Sequence, residues 1–473
     1  MTKSKFKFSL HWQILIALVL SIGYGLIFST NYQSTNINST SLIVDSIDNG
    51  IILKLENLSS KTYKSLSDYK TELKAILTKD QYKKYSKNII ELSYYNPAVK
   101  AISWMGVLFL RALKMIVIPL ILFSIVSGTS NISAGKDLRR LSLKTFLYYV
   151  ATSILAITVG LTLVNIFKPG TGVNYSALDA LELATKHQSL GDILISIVPE
   201  NIIDAMAQNQ LLPVIFFSII VGIFISKLDD HYSTLLKGFF NAGFELFMKI
   251  TLFVIKLAPF GIFGLVAKVI ADQENISNLM VNLGIFTLTV LLALFIHSFI
   301  SLPLITKLIG KAKPFKHFSN MSTALLTAFS TASSSATLPF TLENVENNSG
   351  VSKKISNFTL PIGATVNMDG TAIYICAVIL FIAQAKGIDL NFQQQFILVI
   401  TTLLASIGAA GIPMGSMILI SIILTTLGLP LEMIALILPV DRILDMFRTA
   451  TNVWSDSCGA VVIAKTEGED LNV

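Results

Sequence analysis

Charged residues are scarce in this chain of 473 residues, since they make up only 14% of it, against roughly 25% in an average soluble domain. Hydrophobic residues make up 53%, and the mean hydropathy is +0.67. This number of charged residues is too small to cover a water-exposed surface. Most of the chain must therefore lie in lipid or pack inside a lipid-embedded body. The composition therefore excludes a soluble enzyme and a nucleic-acid-binding module.

Cysteine is scarcer still. The only two cysteines, Cys376 and Cys458, lie in apolar or small-residue runs without the spacing of a metal site. They indicate neither a disulfide framework nor a zinc site. The net charge of +7 comes from lysines and arginines that lie mainly between apolar segments, where such charges orient a membrane protein.

Apolar runs of membrane-spanning length recur along the chain. The first is too long for the hydrophobic region of a secretory signal, and no small-residue cleavage site follows it. Residues 31–100 contain no such run and are rich in Asn, Ser, Lys and Asp, which predicts an outside loop. A basic cluster after the second span predicts that the loop there is cytoplasmic: Lys136, Arg139, Arg140 and Lys144.

Two apolar stretches are interrupted by small, polar and helix-breaking residues. The first interruption is the serine-rich run 330–339, where hydroxyls compete for backbone bonds and Pro339 opposes helix extension. The second, 406–415, contains three glycines and a proline. Irregular backbone at membrane depth needs protein or water around it, so each run predicts a re-entrant break. Such breaks in two halves are typical of transporters with inverted repeats, whereas a serine-rich loop or helix-packing face is the alternative.

Polar residues also lie in the middle of the apolar segment that follows the first break, in the run Asn367-Met368-Asp369-Gly370-Thr371. A charged aspartate is costly in lipid and needs partners. Carboxylate, amide and backbone oxygens are hard ligands, which suits a small hard cation such as sodium. The alternative is a buried helix kink capped by Asn367.

A polar stripe lies on one face of the last apolar helix, since its members recur at helical spacing: Asp441, Asp445, Arg448, Thr449, Asn452 and Asp456. A guanidinium binds a carboxylate through two bonds, and a nearby aspartate can accept an ammonium group. The stripe therefore suits a zwitterion with an extra carboxylate. The alternative is a structural ion pair between Asp445 and Arg448.

These motifs together resemble the glutamate transporter family, the dicarboxylate/amino acid:cation symporters. The resemblance covers about residues 101–465 and rests on four motifs in one order. It implies an all-α polytopic membrane protein with eight transmembrane helices, two re-entrant hairpins and inverted repeats. It also implies a homotrimer in the cell membrane with cytoplasmic termini, in which a transport domain moves like an elevator against a scaffold.

The resemblance divides the chain into segments. The scaffold would comprise the first span (11–30), the second span (101–130) and the fourth and fifth spans (192–270). The transport domain would comprise the third span (143–168), the sixth span (278–308) and the core with both hairpins and the last two spans (315–465). Residues 1–10 would be the cytoplasmic N-terminus, 31–100 the outside loop and 466–473 the cytoplasmic tail.

The resemblance also implies site residues. Arg448 with Thr371 would bind the substrate side-chain carboxylate, and Asp445 with Thr449 the amino group. Asn452, Ser334 and Ser335 would bind the α-carboxylate, and the second hairpin tip would close near Ile412. Sodium ions would use three sets of ligands: Gly363, Asn367, Asn452 and Asp456; Thr365, Ser406, Ile407 and Ala409; and Tyr149, Thr152, Ser153, Asn367 and Asp369.

The chain departs from the family pattern at several positions. Relatives carry an arginine at one of two positions, either in the serine-rich tip or directly after the amino-binding aspartate. This chain has Ala332 and Met446 at these positions. Arg442, one turn earlier, is a candidate substitute. Ile375 stands where animal transporters have a proton-binding glutamate, and Ser416 where relatives often have glycine.

The prediction is sodium-coupled uptake of L-aspartate or L-glutamate, with no covalent cofactor and no enzymatic activity. The alternative within the family is a proton-coupled symporter of glutamate or C4-dicarboxylates. Arg448 argues against neutral substrates and Asp445 against plain dicarboxylates. A channel is a further alternative. An intramembrane serine hydrolase would need a base, for which only His297 lies well inside an apolar span, and no nucleophile-elbow motif surrounds the serines.

Overall fold

The computed structural model describes residues 10–28, 32–33, 62–63, 66–92, 97–130, 136–173, 195, 197–208, 210–272, 276–407, 415–427 and 429–473. Within these ranges the chain is helical, apart from an antiparallel pair of two-residue strands, β1 (Tyr32–Gln33) and β2 (Thr62–Tyr63). The predicted all-α class agrees with this architecture.

The first half of the chain forms helices that run up to the end of the predicted sixth span. They are α1 (Leu10–Ile27), α2 (Leu66–Ile76), α3 (Lys79–Leu92), α4 (Pro97–Ser130), α5 (Lys136–Phe167), α6 (Ile202–Ala207), α7 (Leu211–Ile225), α8 (Asp230–Lys256), α9 (Ala258–Ala271), α10 (Ile276–Ile296), a π-helical turn (His297–Ser301) and α11 (Leu302–Leu308).

The second half forms a series of shorter helices followed by one long helix, and its first predicted break, 330–339, contains the turn between two of them. Residues 408–414 of the second predicted break, 406–415, lie outside the described residues. The helices are α12 (Pro314–Asn320), α13 (Ser322–Thr331), α14 (Ser334–Glu343), a second π-helical turn (Asn344–Asn348), α15 (Lys353–Val366), α16 (Asp369–Ala385), α17 (Phe392–Ile407), α18 (Gly415–Thr426), a 3₁₀ turn (Leu431–Met433) and α19 (Ile434–Thr466).

Several helical segments are long and apolar enough to cross a membrane. By length and composition there are five in the described residues: Ala98–Ser130, Arg140–Phe167, Asp230–Lys256, Ile276–Leu308 and Lys353–Ala385. Shorter apolar helices cover Trp12–Ile27, Pro213–Ile225, Ala258–Ala271 and Phe392–Ser406. These helices are consistent with a polytopic membrane protein, whereas the count of eight spans and two hairpins stays a prediction.

The segment 192–270, predicted to hold two spans, contains the four helices α6 to α9. The break between α8 and α9 has a local cause, because Pro259 lies in the first turn of α9. A proline is tolerated there, since its missing N–H would have no intrahelical partner.

The chain divides into two compact units, the first comprising Met1–Leu110, Gly172–Ala184 and Lys256–Met280. Here α1 packs along α9, and the contact depends on Gly25. A Cβ atom at that position would lie 2.7 Å from Cβ of Ile270 and 2.8 Å from the Ala267 carbonyl oxygen. The Tyr24 hydroxyl donates to the Ala98 carbonyl (3.1 Å), which adds α4 to the pair.

The second unit comprises Arg111–Thr171, Thr185–Ile255 and Val281–Val473. Its centre is α19, against which α5, α13, α15 and α16 pack. Trp454 and Cys458 of α19 are buried in a hydrophobic cluster with Tyr149, Met321 and Leu360. Because helices surround α19, its polar stripe faces protein rather than lipid, and the candidate site lies there.

Candidate functional site

The first predicted break lies at the turn between α13 and α14. Ala332 ends α13 in the left-handed conformation (φ +49°), and the Ser333 hydroxyl accepts a hydrogen bond from the Ala336 N–H (3.2 Å) as the N-cap of α14. Pro339 lies inside α14, so linking the break to this proline was wrong. Ser334 and Ser335 follow the cap, where helix N–H groups have no intrahelical partner. Ser334 is buried and Ser335 is exposed.

The polar run 367–371 forms the interruption between α15 and α16. Asn367 and Met368 are non-helical, and Asn452 of α19 caps the new helix by accepting from the Gly370 N–H (2.8 Å). Its amide also donates to the Thr371 hydroxyl (3.1 Å). Gly370 permits this approach, since a Cβ atom there would lie 2.5 Å from the Arg448 carbonyl oxygen.

The stripe of α19 carries a chain of alternating charges. Arg448 donates to Asp445 (2.6 Å) and to Asp441 (3.2 Å), while Arg442 donates to the second oxygen of Asp445 (3.0 Å). The Arg448 guanidinium lies 3.8 Å from the centre of the Tyr374 ring, at cation–π distance. We call these five residues the substrate cluster.

Charges in the substrate cluster balance, with two guanidinium groups against two carboxylates. Arg448 is 1% exposed, Asp441 2% and Asp445 6%, so these groups are largely removed from water. The Nε atom of Arg448 is buried without a hydrogen-bond partner in the described part of the chain. The cluster thus contains a guanidinium and a carboxylate. Each can replace its internal partner by the oppositely charged group of a bound zwitterion.

A second group of polar residues surrounds Asp369. Ser153 donates to one oxygen of its carboxylate (2.6 Å), and Ser455 donates to the other (2.6 Å). Nε2 of His297 lies 3.0 Å from that second oxygen, and both residues are fully buried. An ionised carboxylate only accepts hydrogen bonds, so Nε2 would be the donor to an ionised Asp369.

Asp456 lies in the same group. Asn367 donates to Asp456 (2.9 Å) and to Ser455 (3.0 Å), and the Thr152 hydroxyl donates to the Asn367 oxygen (3.4 Å). A Cβ atom at Gly363 would lie 2.6 Å from an Asp456 carboxylate oxygen and 2.7 Å from the Tyr149 hydroxyl, so the glycine makes room for both.

The structure therefore brings together the predicted set Tyr149, Thr152, Ser153, Asn367 and Asp369, and three members of the set Gly363, Asn367, Asn452 and Asp456. The remaining member, Asn452, contacts Gly370, Thr371 and Met368 instead. We call this group the cation cluster: Tyr149, Thr152, Ser153, Gly363, Asn367, Asp369, Ser455 and Asp456. In the described residues its two carboxylates contact neutral donors and His297, and neither forms an ion pair with lysine or arginine. Two carboxylates among oxygen-bearing neutral side chains fit a small cation.

Comparison with known proteins identifies the family. Residues 10–466 match the family described as the sodium:dicarboxylate symporter family. The chain belongs to the sodium:dicarboxylate symporter family. It is therefore an integral membrane transporter and not an enzyme, and the predicted resemblance is confirmed.

Relatives of this symporter occur in bacteria and animals. The chain is 35% identical to the proton/sodium-glutamate symport protein of Geobacillus stearothermophilus over 80% of its own length and 90% of the relative's. It is 36% identical to the proton/glutamate-aspartate symporter of Escherichia coli strain K12 (78% and 86% covered). It is 32% identical to excitatory amino acid transporter 1 of Ambystoma tigrinum (82% and 80% covered).

The other predicted site residues of the symporter have fewer described contacts with the two clusters. Thr449 donates to the Asp445 carbonyl (2.8 Å). In the other sodium set, Thr365 is half-buried, the Ser406 hydroxyl donates to Leu403 (2.7 Å), and Ile407 ends α17. Ala409 and Ile412 lie outside the described residues, so the roles of this set and of the second hairpin tip stay predictions.

Sequence reasoning missed four contacts of this symporter's site. Tyr374 follows Thr371 by three residues, which places it on the same face of α16 and could have indicated it. Asp441 was recognised in the stripe but not as a second partner of Arg448. His297 was considered only as a base, although a histidine in an apolar span needs a buried partner. Ser455 precedes Asp456 and carried no separate signal.

Proposed function

We propose that this symporter takes up L-aspartate or L-glutamate together with sodium ions. The observation that carries the proposal is the contrast between two neighbouring clusters. One has balanced guanidinium and carboxylate groups, whereas the other has two carboxylates with neutral partners and a histidine. The first suits a zwitterion with an additional carboxylate, and the second suits a cation.

The substrate would bind by exchanging partners in the substrate cluster. Its side-chain carboxylate would bind Arg448 and Thr371, replacing an aspartate partner of the guanidinium. Its ammonium would bind Asp445 beside Thr449. The α-carboxylate would bind Asn452 and the N-terminus of α14 at Ser334 and Ser335, because a helix N-terminus favours an anion. The second hairpin tip, near Ile412, would close over it.

Sodium ions would be the coupling substrates. Asn367, Asp456 and Asn452 with the Gly363 carbonyl would hold one ion, and Tyr149, Thr152, Ser153, Asn367 and Asp369 another. A third would use carbonyls of Thr365, Ser406, Ile407 and Ala409. Asn452 contacts Thr371 and Gly370 on one side and is itself a sodium ligand in this scheme. Its shared use would link cation binding to substrate binding.

Movement of the transport domain (143–168, 278–308 and 315–465) against the scaffold of a homotrimer would carry the site across the membrane, with both termini in the cytoplasm. The interruptions at Ala332–Ser333 and Asn367–Met368 support this proposal. The second interruption places a helix end beside the cation cluster, since Asn367 donates to Asp456, and broken helices are typical of transporters. The names of the bacterial and animal relatives support the choice of an acidic amino acid.

The test is uptake of labelled L-aspartate into liposomes with imposed ion gradients. An inward sodium gradient should drive accumulation, and replacing sodium by choline should abolish it. Accumulation that follows a proton gradient and ignores sodium would instead support proton coupling, which the names of two bacterial relatives also include. Competition by L-glutamate and by succinate would separate an amino acid substrate from a plain dicarboxylate.

A further inference from the structure

A second ligand site is indicated by an open groove between α4 and α6, on a surface that the substrate and cation clusters do not use. The groove has a volume of about 620 Å³. Its α4 wall includes Arg111, Lys114, Met115 and Ile118. These positions have the spacing i, i+3, i+4 and i+7, so they lie on one face of the helix.

The opposite wall of the groove is formed by α6. Ile203 and Met206 line it, and Ile203 is 68% exposed. On the α4 side Met115 is 67% exposed. Large apolar side chains thus lie open on both walls, whereas other faces of α4 are packed. Phe123, for example, lies so close to α8 that a Cβ atom at Gly243 would meet its ring at 2.2 Å.

The two basic side chains of the groove have no counter-charge among the described residues. Neither Arg111 nor Lys114 forms an ion pair with any residue in the described part of the chain. Asp204, the acidic residue of α6, is instead bound by the Gln208 amide at 2.8 and 2.9 Å. A cation on a membrane-spanning helix without a partner is costly, so an anion from outside the chain is favoured.

The position of the cations along α4 fits a lipid headgroup. Lys114 and Arg111 lie 16 and 19 residues before Ser130, the end of α4, which corresponds to about 24 and 29 Å of helix. The hydrocarbon layer is about 30 Å thick. The loop after α4 is predicted to be cytoplasmic, and with Ser130 at the cytoplasmic boundary of this layer the two cations would lie near the opposite headgroup layer.

We propose that this groove binds a phospholipid with an anionic headgroup. The phosphate contacts Arg111 and Lys114, and an acyl chain lies along Met115, Ile118, Ile203 and Met206. Two cations beside apolar walls match both parts of such a lipid. A subunit contact at this groove is the competing occupant, and the oligomeric state is measured in the test below. The site is independent of the substrate and the coupling ion.

Native mass spectrometry of the full-length protein, purified from phosphatidylcholine nanodiscs with or without phosphatidylglycerol, tests this proposal. The wild type should retain phosphatidylglycerol in preference to phosphatidylcholine. The double variant Arg111→Gln, Lys114→Gln should weaken this retention by roughly 30-fold, since each Lys or Arg near anionic lipid contributes about fivefold. Glycerol phosphate, which lacks acyl chains, should compete poorly because the apolar walls would have nothing to bind.

The matched control is Lys237→Gln, Lys249→Gln, which removes the same charge from α8, away from the groove. It should retain the lipid as the wild type does. Circular dichroism and size-exclusion chromatography check the fold of both variants. The proposal is overturned if the groove variant retains the lipid normally, if the control variant loses it equally, or if the groove variant changes the oligomeric state instead of lipid retention.

Discussion

The substrate cluster and the cation cluster share residues of helix α19 and are largely buried, yet their carboxylates have different partners. In the first, Arg448 is shared by Asp441 and Asp445, and Arg442 binds the free oxygen of Asp445. In the second, Asp369 and Asp456 receive hydrogen bonds from serine, asparagine and histidine. The same residue type, aspartate, thus has arginine partners in one cluster and, among the described residues, only serine, asparagine and histidine partners in the other.

This difference indicates what each cluster requires of the ligand that binds to it. A ligand of the substrate cluster must exchange ion pairs, and the desolvation of both partners has already occurred on folding. A ligand of the cation cluster adds a charge that the cluster lacks. Substrate binding should therefore depend on matched opposite charges, and cation binding on net negative charge. The following predictions test this contrast, from the largest expected effect to the smallest.

The largest effect is expected from Arg448→Ala. Removing one partner of a buried ion pair costs about 3–5 kcal/mol, because the other partner stays buried. Here two aspartates would lose their shared guanidinium, and the substrate would lose its carboxylate partner. Affinity for L-aspartate at saturating sodium should fall by more than about 100-fold, as measured by isothermal titration calorimetry. Arg140→Ala, at a 59% exposed surface arginine, is the control, and equal losses in both variants would contradict the assignment.

A large effect on sodium is expected from Asp369→Asn. The substitution keeps the shape of the side chain but removes one of the two negative charges from the cation cluster. Sodium affinity without substrate should fall by about tenfold or more, since a charge-assisted contact is roughly twice as strong as a neutral one. Sodium titration followed by tryptophan fluorescence measures it, because Trp454 is buried on the same helix.

Asp441→Asn is the matched control for this prediction, because it neutralises an aspartate of the other cluster. Sodium affinity should stay near that of the wild type, while affinity for L-aspartate changes. If both variants weaken sodium binding equally, the two clusters do not differ in the way proposed.

A moderate effect is expected from Gly363→Ala. The new methyl group would lie 2.6 Å from an Asp456 carboxylate oxygen, so the carboxylate or α15 must shift by several tenths of an ångström. Sodium affinity should fall by about three- to tenfold, which corresponds to roughly 0.7–1.4 kcal/mol. Gly284→Ala is the control, since nothing lies within 4 Å of a Cβ atom there. Sodium affinity indistinguishable from the control would show that the glycine is not needed for the site.

The smallest effect is expected at the surface, where Glu467 binds Arg140 and Lys144, each at 2.6 Å. Hydrogen bonds from these two side chains lower the pKa of Glu467 below its ordinary value. The ionised Glu467 carboxylate therefore stabilises the folded protein. This contribution is fully present above the unfolded-state pKa of about 4.3 and is lost as the pH falls through the lower folded-state pKa.

Glu467→Gln should consequently reduce the free energy of unfolding at pH 7 by about 1 kcal/mol or less. The reduction should disappear in strongly acidic buffer, where the wild-type carboxylate is protonated as well. Thermal unfolding in detergent measures both values. A penalty as large as that of Arg448→Ala would remove the distinction between buried and surface ion pairs.

Much of the site was predictable because its signals are local. Asn367 and Gly370 are poor helix formers, and the alternative of a helix kink at Asn367 agrees with the separation of α15 and α16 at Asn367–Met368, although Asn452 rather than Asn367 caps the new helix. Helical spacing placed Asp445, Arg448 and Asp456 on one face. The first break was placed less accurately, because Pro339 is a strong sequence signal, whereas the turn depends on the left-handed Ala332 and the Ser333 cap.

Other parts of the site were not predictable from local patterns. Spacing places Tyr374 on the same face of α16 as Thr371, but its position against Arg448 depends on the crossing of α16 and α19 at Gly370, which no local pattern specifies. The contact of His297 with Asp369 joins residues 72 positions apart. It also depends on the π-helical turn His297–Ser301, whose Ser298 carbonyl accepts from the Trp454 indole N–H (2.9 Å).

The sequence by itself determined that this protein lies in a membrane, that the serine-rich run 330–339 contains a break and which face of the last helix is polar. These properties follow from composition and from spacing along one segment. Only the tertiary structure decided which carboxylates are paired with cations and which are left to neutral donors. That division depends on side chains far apart in the chain, such as Ser153 and Asp369 at a separation of 216 residues. Such groups come together only when helices pack, because burial forces each polar group to find a partner in a neighbouring helix.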